Sequence, residues 1–309
     1  MSGLRWLAVV LIVLAAGLFS WLNFTFAGRL IGANHAVPTP QGLTPTARSS
    51  ASDLSPLDID FTSVSSLPQG LTELMPELSR TAQVVDGRLT LRGVPAIAGW
   101  YSDRSGPFFY RVVSGNFLVE TAVRSVKADD GRTRPTGSFN SSGLLVRDPA
   151  SDKGKMRWVM YNIGQQYEFF GTEAKSTVPD IGGWHFQRLA GFQSASTLWL
   201  TPLPADGVEA RLRICRVGDE FRFFKNLPGT QVWAEETFAE GTTVMGNGKS
   251  RPTEGVVDGG VIRFVRPDIA NTVQVGLVTN PGMPPHDGVG QFASITFARI
   301  ADFAPCMAN

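Results

Sequence analysis

The chain has 309 residues, of which 43% are apolar, and 28 Lys and Arg face 27 Asp and Glu for a net charge of +1. That balance leaves no basic stripe for neutralising phosphates, which argues against nucleic acid, while the apolar share is ample for a folded core. The two cysteines, Cys215 and Cys306, match no zinc pattern and make no disulfide scaffold; one disulfide in an oxidising compartment and two free thiols both remain open.

The strongest signal is at the amino terminus. From Trp6 to Leu22 (WLAVVLIVLAAGLFSWL) no residue is charged, and FTFA extends the run with Asn23 and Thr25 as its polar marks. About 20 apolar residues span a bilayer, whereas the apolar region of a cleaved signal runs to about 7–15. Thr25-Phe26-Ala27 is a poor cleavage site. The expectation is an uncleaved transmembrane helix within residues 1–30, ahead of a cleaved signal or a buried soluble helix. Trp6 and Trp21 fall where membrane-interface aromatics belong. Arg5 lies on one side of the span and Arg29 and Arg48 on the other, a weak orientation bias. The large domain is expected on the periplasmic side of a bacterial cytoplasmic membrane. Residues 31–57, rich in Pro, Thr and Ser, read as a tether, because such a segment buries too little apolar surface to offset its ordering entropy.

Beyond the tether come many short runs rich in β-branched and aromatic residues. GRLTLRGV (87–94), GNFLVETAVRSV (115–126), SGLLVRD (142–148), RWVMYNI (157–163), TLWLTPL (197–203), VEARLRICRV (208–217), EFRFFKN (220–226), TVQVGLVT (272–279) and QFASITFARI (291–300) are among them. Turn residues bound most, and the 33 glycines and 20 prolines of the chain supply them. In VEARLRICRV, Val208, Ala210, Leu212 and Ile214 share one face while Glu209, Arg211 and Arg213 share the other. No segment here keeps a helical period over ten residues. The expected fold is therefore all-β, a two-sheet antiparallel sandwich over 58–303 with a six-residue tail at 304–309. Gly218-Asp219 is predicted to close a hairpin that sets Leu212 and Ile214 against Phe221 and Phe223 or Phe224.

The motif order FxxxSSLPxxLTE, VVDGRLTL, GPFFYRVVSGNFLVETAV, GLLVRDP, RWVMYNIG, LRICRVGDEFRFFKNLPGTQVW, VQVGLVTN and FASITF resembles the concanavalin A-like lectin/glucanase superfamily, specifically the laminin-G-like jelly rolls typified by DUF1349 domains of bacteria. The resemblance covers roughly residues 56–303 and implies two curved sheets whose concave face or edge loops often bind glycans. The chain departs from it twice. A long polar insertion occupies 234–258, and ordered loops beyond about 12–15 residues are commonly functional or mobile. The Glu-x-Asp-x-x-Glu strand of the superfamily's retaining glycosidases, which sets two carboxyls about 5–5.5 Å apart, is also missing. Glu168 and Glu173 lack the middle Asp, and Glu235 and Glu236 lie in the insertion.

Candidate ligand-binding residues are Trp158, Tyr161, Tyr167, Trp184, His185, Trp233 and His286. Each has a plain structural alternative. Trp158 and Tyr161 lie on opposite faces of one strand, so at most one of them faces a ligand and either suits a core. Tyr167 suits an exposed strand entry. Trp184 and His185 sit in GGWHFQR, a loop that an exposed indole would make a contact surface. His286-Asp287 stands in a Pro/Gly turn, which Asp serves without any metal or proton-transfer role. ADDGR (128–132) and DPASDKGK (148–155) lack the alternating oxygen ligands of a calcium loop. No cofactor or metal is assigned, and Ca2+ is kept only on the habit of the resembled family.

Two functions follow as expectations. In the first, the chain is a non-catalytic accessory subunit whose helix, tether and 234–258 insertion meet integral membrane proteins. In the second, it is a membrane-tethered glycan-binding module of the cell envelope.

Overall fold

Side chains alternate along a strand, so a run apolar at every second position presents one face to a core. In the computed structural model, which describes residues 53–152, 155–167, 169–178, 193–203, 207–237, 244–245 and 260–309, such runs become strands. They are β1 (Ile59–Asp60), β2 (Thr72–Leu74), β3 (Ser79–Val85), β4 (Arg88–Gly93), β5 (Phe108–Ser114), β6 (Phe117–Lys127), β7 (Asn140–Arg147), β8 (Trp158–Gln166) and β9 (Phe169–Val178). After them come β10 (Ala195–Pro202), β11 (Glu209–Val217), β12 (Glu220–Asn226), β13 (Ala234–Glu235), β14 (Val244–Met245), β15 (Arg263–Val265), β16 (Thr272–Pro281) and β17 (Gly288–Ala298).

Two antiparallel sheets result. The first has the order β13-β12-β11-β6-β17-β4-β3, with β1 on β17 and β15 on β12; the second has the order β14-β10-β9-β8-β7-β16-β5-β2. Their inner faces meet in one core, where Leu91, Val119, Leu212, Ile214, Phe221 and Phe223 oppose Phe109, Leu144, Val159, Tyr161, Ile163 and Leu277. Each such side chain contributes roughly 1.5–3 kcal/mol when fully buried. The predicted hairpin forms as expected: Val217 pairs with Glu220, Ile214 with Phe223 and Arg216 with Phe221, around Gly218 at φ +60. A glycine at the first position of a two-residue loop suits the twist of the flanking strands. Phe224 points the other way.

The alternation fails where both faces are covered. Every residue of β7 is buried, as are nearly all of β8 and β16. On the outer side of the second sheet, Trp100, Phe108, Leu145, Met156, Trp158, Met160 and Val278 form a second apolar cluster, in which Trp100 meets Trp158 edge-on at 6.2 Å. A third cluster, Leu118, Cys215, Phe224, Trp233, Ile300 and Cys306, lies outside the first sheet. Cys215 and Cys306 are joined in a disulfide, one of the two states left open by the sequence, and it stitches the tail at 304–309 onto β11.

The amino-terminal side of the sandwich likewise begins earlier than position 58. Leu54 is buried against the main core and Leu57 packs beside it. The predicted anchor (residues 1–30), with Trp6 and Trp21, and the tether as far as position 52 lie outside the described residues. Among the described residues no helix is long and apolar enough to cross a membrane.

The insertion is tied to both sheets. Its first residues, β13, pair with β12 through Lys225–Ala234 and Phe224–Glu235, and Thr237 bridges to Val261. Further along, β14 pairs with β10. It thus adds short strands to neighbouring edges of the two layers, which protects edges that would otherwise offer unpaired N–H and C=O groups.

Candidate functional site

Two polar constellations stand out because charge is buried in them. The first lies on the outer face of the second sheet. Glu173 and Lys175 are two apart on β9, so they share a face, and Lys175 Nζ lies 3.2 Å from Glu173 Oε1 with side chains only 3% and 0% exposed. The ladder sets Asn162 of β8 opposite Glu173, and Gly143 of β7 opposite Asn162. Ser141 Oγ donates to Glu173 Oε2 at 3.4 Å and accepts from Asn162 Nδ2 at 3.2 Å. Gln166 is buried in the same sheet. Glycine at 143 is required: a Cβ there would stand 2.2 Å from the Tyr161 carbonyl oxygen. The layer is not fully satisfied, since Asn162 Oδ1 and both amide atoms of Gln166 have no hydrogen-bond partner among the described residues.

The second constellation is inside the sandwich. Glu236, at the start of the insertion, is 1% exposed. Its Oε2 accepts from Tyr161 Oη at 2.5 Å and Thr172 Oγ1 at 2.7 Å, and its Oε1 accepts from Lys225 Nζ at 2.8 Å. The backbone helps, because Glu236 N donates to Phe223 O and Glu236 O accepts from Ile262 N. A buried carboxylate is tolerated only when paired and hydrogen-bonded, and three donors supply that here. Burial, reinforced by the Glu236 charge and hydrogen bond, drives the Tyr161 phenol well above its ordinary range, so it remains a donor. The arrangement holds the insertion to β8, β9 and β12 at once. It supplies a single carboxylate rather than a carboxyl pair at glycosidase spacing.

The residues proposed from sequence are dispersed. Trp158 is in the second apolar cluster and Tyr161 in the main core, on opposite faces as their spacing required. Both are fully buried and present no ring to solvent. Trp233 is also buried, beneath Arg213 at 3.6 Å and Arg211 at 5.1 Å, beside the disulfide. Tyr167 is 37% exposed, held at φ +50 and edge-on to Phe139. Trp184, His185 and Glu168 lie outside the described residues.

His286 and Asp287 serve a turn. His286, at φ +55, has Nδ1 3.1 Å from the Pro281 carbonyl. The Asp287 carboxylate accepts from Thr136 N, Thr136 Oγ1 and Gly137 N, clasping a neighbouring loop that Asn140 also holds through Gly137 O and Gly288 N. Burial works to raise the Asp287 carboxyl, but these hydrogen bonds outweigh it and the net shift is downward. A lowered folded pKa means that the clasp contributes full stability above the ordinary carboxylate value of about 4 and loses it as pH falls through the folded value. Acid titration followed by NMR is expected to loosen residues 136–140 and 283–288 below about pH 4, and Asp287→Asn to abolish that step. Asp130 of ADDGR spends its oxygens on Arg132 N, Thr133 N and Thr133 Oγ1, as a turn residue does. Those bonds, the Thr133 hydroxyl foremost, hold its carboxyl down at about 2. Among the described residues no group of three or more His, Cys, Asp or Glu side chains is placed to hold a metal ion.

Sequence reasoning passed over Lys175 and Asn162, weighed Glu173 only against the glycosidase spacing, and noted Glu236 only as part of the insertion. The available signal was an acid and a base at i and i+2 within one strand, Phe169–Val178.

No protein-family profile matches the chain, and no curated protein matches it. Among solved structures, a functionally unknown protein from Saccharomyces cerevisiae is 11% identical over 75% of this chain and 97% of its own, with a TM-score of 0.48. The GH43 protein BlXynB from Bacillus licheniformis is 12% identical, with a TM-score of 0.47 over 78% of this chain; the match takes in 39% of the enzyme's length. Lectin I-B4 from Griffonia simplicifolia, in metal-free form, is 9% identical over 78% of this chain and 98% of its own, with a TM-score of 0.42. The likeness is one of fold. Neighbours of this kind include a glycosidase and a lectin, so they leave open whether this chain has an activity.

Proposed function

We propose that this chain is a membrane-anchored, non-catalytic accessory subunit whose concanavalin A-like, DUF1349-like sandwich docks on an integral membrane assembly from the periplasmic side. The observation that supports it best is the closure of the second sheet's outer face. In the resembled family a sheet face or its edge loops receive glycans; here Trp100, Met156 and Trp158 pack on that face and even Glu173 and Lys175 are buried. A body built this way is suited to presenting surfaces and edges rather than an open groove. The apolar run at residues 6–22 supplies the attachment, and the Cys215–Cys306 disulfide suits an oxidising compartment outside the cytoplasm. The insertion, joined to edges of both sheets, is the proposed contact with partners.

The test is gentle detergent solubilisation of the full chain. We expect copurification at fixed stoichiometry with integral membrane proteins; a chain that always elutes alone removes the reading. A glycan-binding module is the second reading, favoured by Asn162 Oδ1 and the Gln166 amide, which have no hydrogen-bond partner among the described residues and which sugar hydroxyls would satisfy. Calorimetric titration with β-glucan and peptidoglycan fragments decides between them. Saturable binding that falls about tenfold in Asn162→Ala would favour the glycan reading.

A further inference from the structure

The outer face of the first sheet is dense in arginine, and its charges do not balance locally. The ladder sets Glu209 opposite Arg124, and Arg211 opposite Ala122 on one side and Asn226 on the other. Ala122 is small, so the sheet dips there. The depression, about 160 Å³, is lined by Arg88, Arg124 and Arg211 together with Glu209 and Asn226. Glu209 is shared with Arg124 at 3.4 Å, and Glu120 is already engaged by both Arg211 and Arg213. Four guanidiniums therefore meet two carboxylates, an excess of two positive charges. Arg88 has no hydrogen bond or ion pair to its guanidinium among the described residues. Burial first, and then the nearby Arg124 charge, lower its pKa, while the Glu209 carboxylate works the other way without cancelling them.

We propose that this depression is an anion site that takes a phosphate group, with Arg88 as its uncommitted donor and Arg124 and Arg211 as flanking donors. Guanidinium presents a planar fork that matches phosphate oxygens two at a time, and an excess of two charges complements a phosphomonoester. The site lies on the opposite sheet from the buried Glu173–Lys175 layer, and its binding of phosphate does not depend on the accessory-subunit reading.

The experiment titrates the full chain in detergent with inorganic phosphate and, separately, with dihexanoyl phosphatidylglycerol below its micelle concentration, followed by calorimetry and 31P line broadening. Saturable binding of either probe supports the site. Preference for inorganic phosphate identifies a free phosphomonoester as the ligand type, and preference for the lipid a headgroup. Arg88→Gln is expected to weaken binding about tenfold and Glu209→Gln to strengthen it by a few fold, through loss of a donor and of a competing carboxylate. Arg132→Gln, an exposed loop position, controls for net charge. The proposal is overturned if neither probe saturates, or if Arg88→Gln binds as tightly as Arg132→Gln.

Discussion

Lys225→Met is expected to destabilise the sandwich by about 3–5 kcal/mol, because it leaves the Glu236 carboxylate buried without its counter-charge. Lys225 Nζ and Glu236 Oε1 are 2.8 Å apart, with side chains 13% and 1% exposed. Tyr161 and Thr172 still donate to the other oxygen, but neutral donors do not replace an ammonium in a low-dielectric interior. Glu236→Gln should cost less, since its amide oxygen still accepts from those two hydroxyls. The double variant Lys225→Met/Glu236→Gln should recover part of the single Lys loss, because no unpaired charge remains. Urea denaturation with a common slope reads these differences directly. A Lys225→Met midpoint indistinguishable from the parent would show that Glu236 does not depend on the pair. The same variants report on the insertion, since Glu236 is where it enters the core between β8, β9 and β12.

The second large effect concerns the disulfide. Cys215 and Cys306 are separated by 91 positions, and a cross-link closing so long a loop restricts the unfolded chain by about 2–5 kcal/mol. Paired Cys215→Ser/Cys306→Ser replacement, or reduction, is expected to lower stability by that order. It should also release the carboxyl-terminal residues, because the bond sits inside the small cluster that holds them. Arg213 donates to the carbonyls of Cys306 and Ala308 at 2.9 and 2.7 Å while lying over the Trp233 ring. Trp233 emission should therefore shift to longer wavelength as water reaches the indole. An unchanged denaturation midpoint after complete reduction, verified by thiol titration, would refute the stabilising role.

Strand identity, the β11–β12 hairpin and the opposite placement of Trp158 and Tyr161 were legible from local pattern. Side-chain period and turn chemistry act over a few residues, and those are written along the chain. The candidate aromatics were harder to read, because an indole or phenol serves a core as well as a ligand, and burial is a property of layers rather than of a strand. Trp233 shows this: nothing beside it in sequence announces the two arginines and the disulfide that enclose it.

Order along the backbone and the greasy or polar character of each run belong to the sequence alone, because neighbouring residues set them through sterics and solvation. Which charges become partners was decided only in three dimensions. Ladder register carries Glu173 to Asn162, and the return of the insertion carries Glu236 to Tyr161 and Lys225. Glu236 and Tyr161 are 75 positions apart and Glu120 and Arg213 are 93 apart, and no local preference encodes such pairings; they exist because a buried ion is stable only where the folded layers bring it a partner.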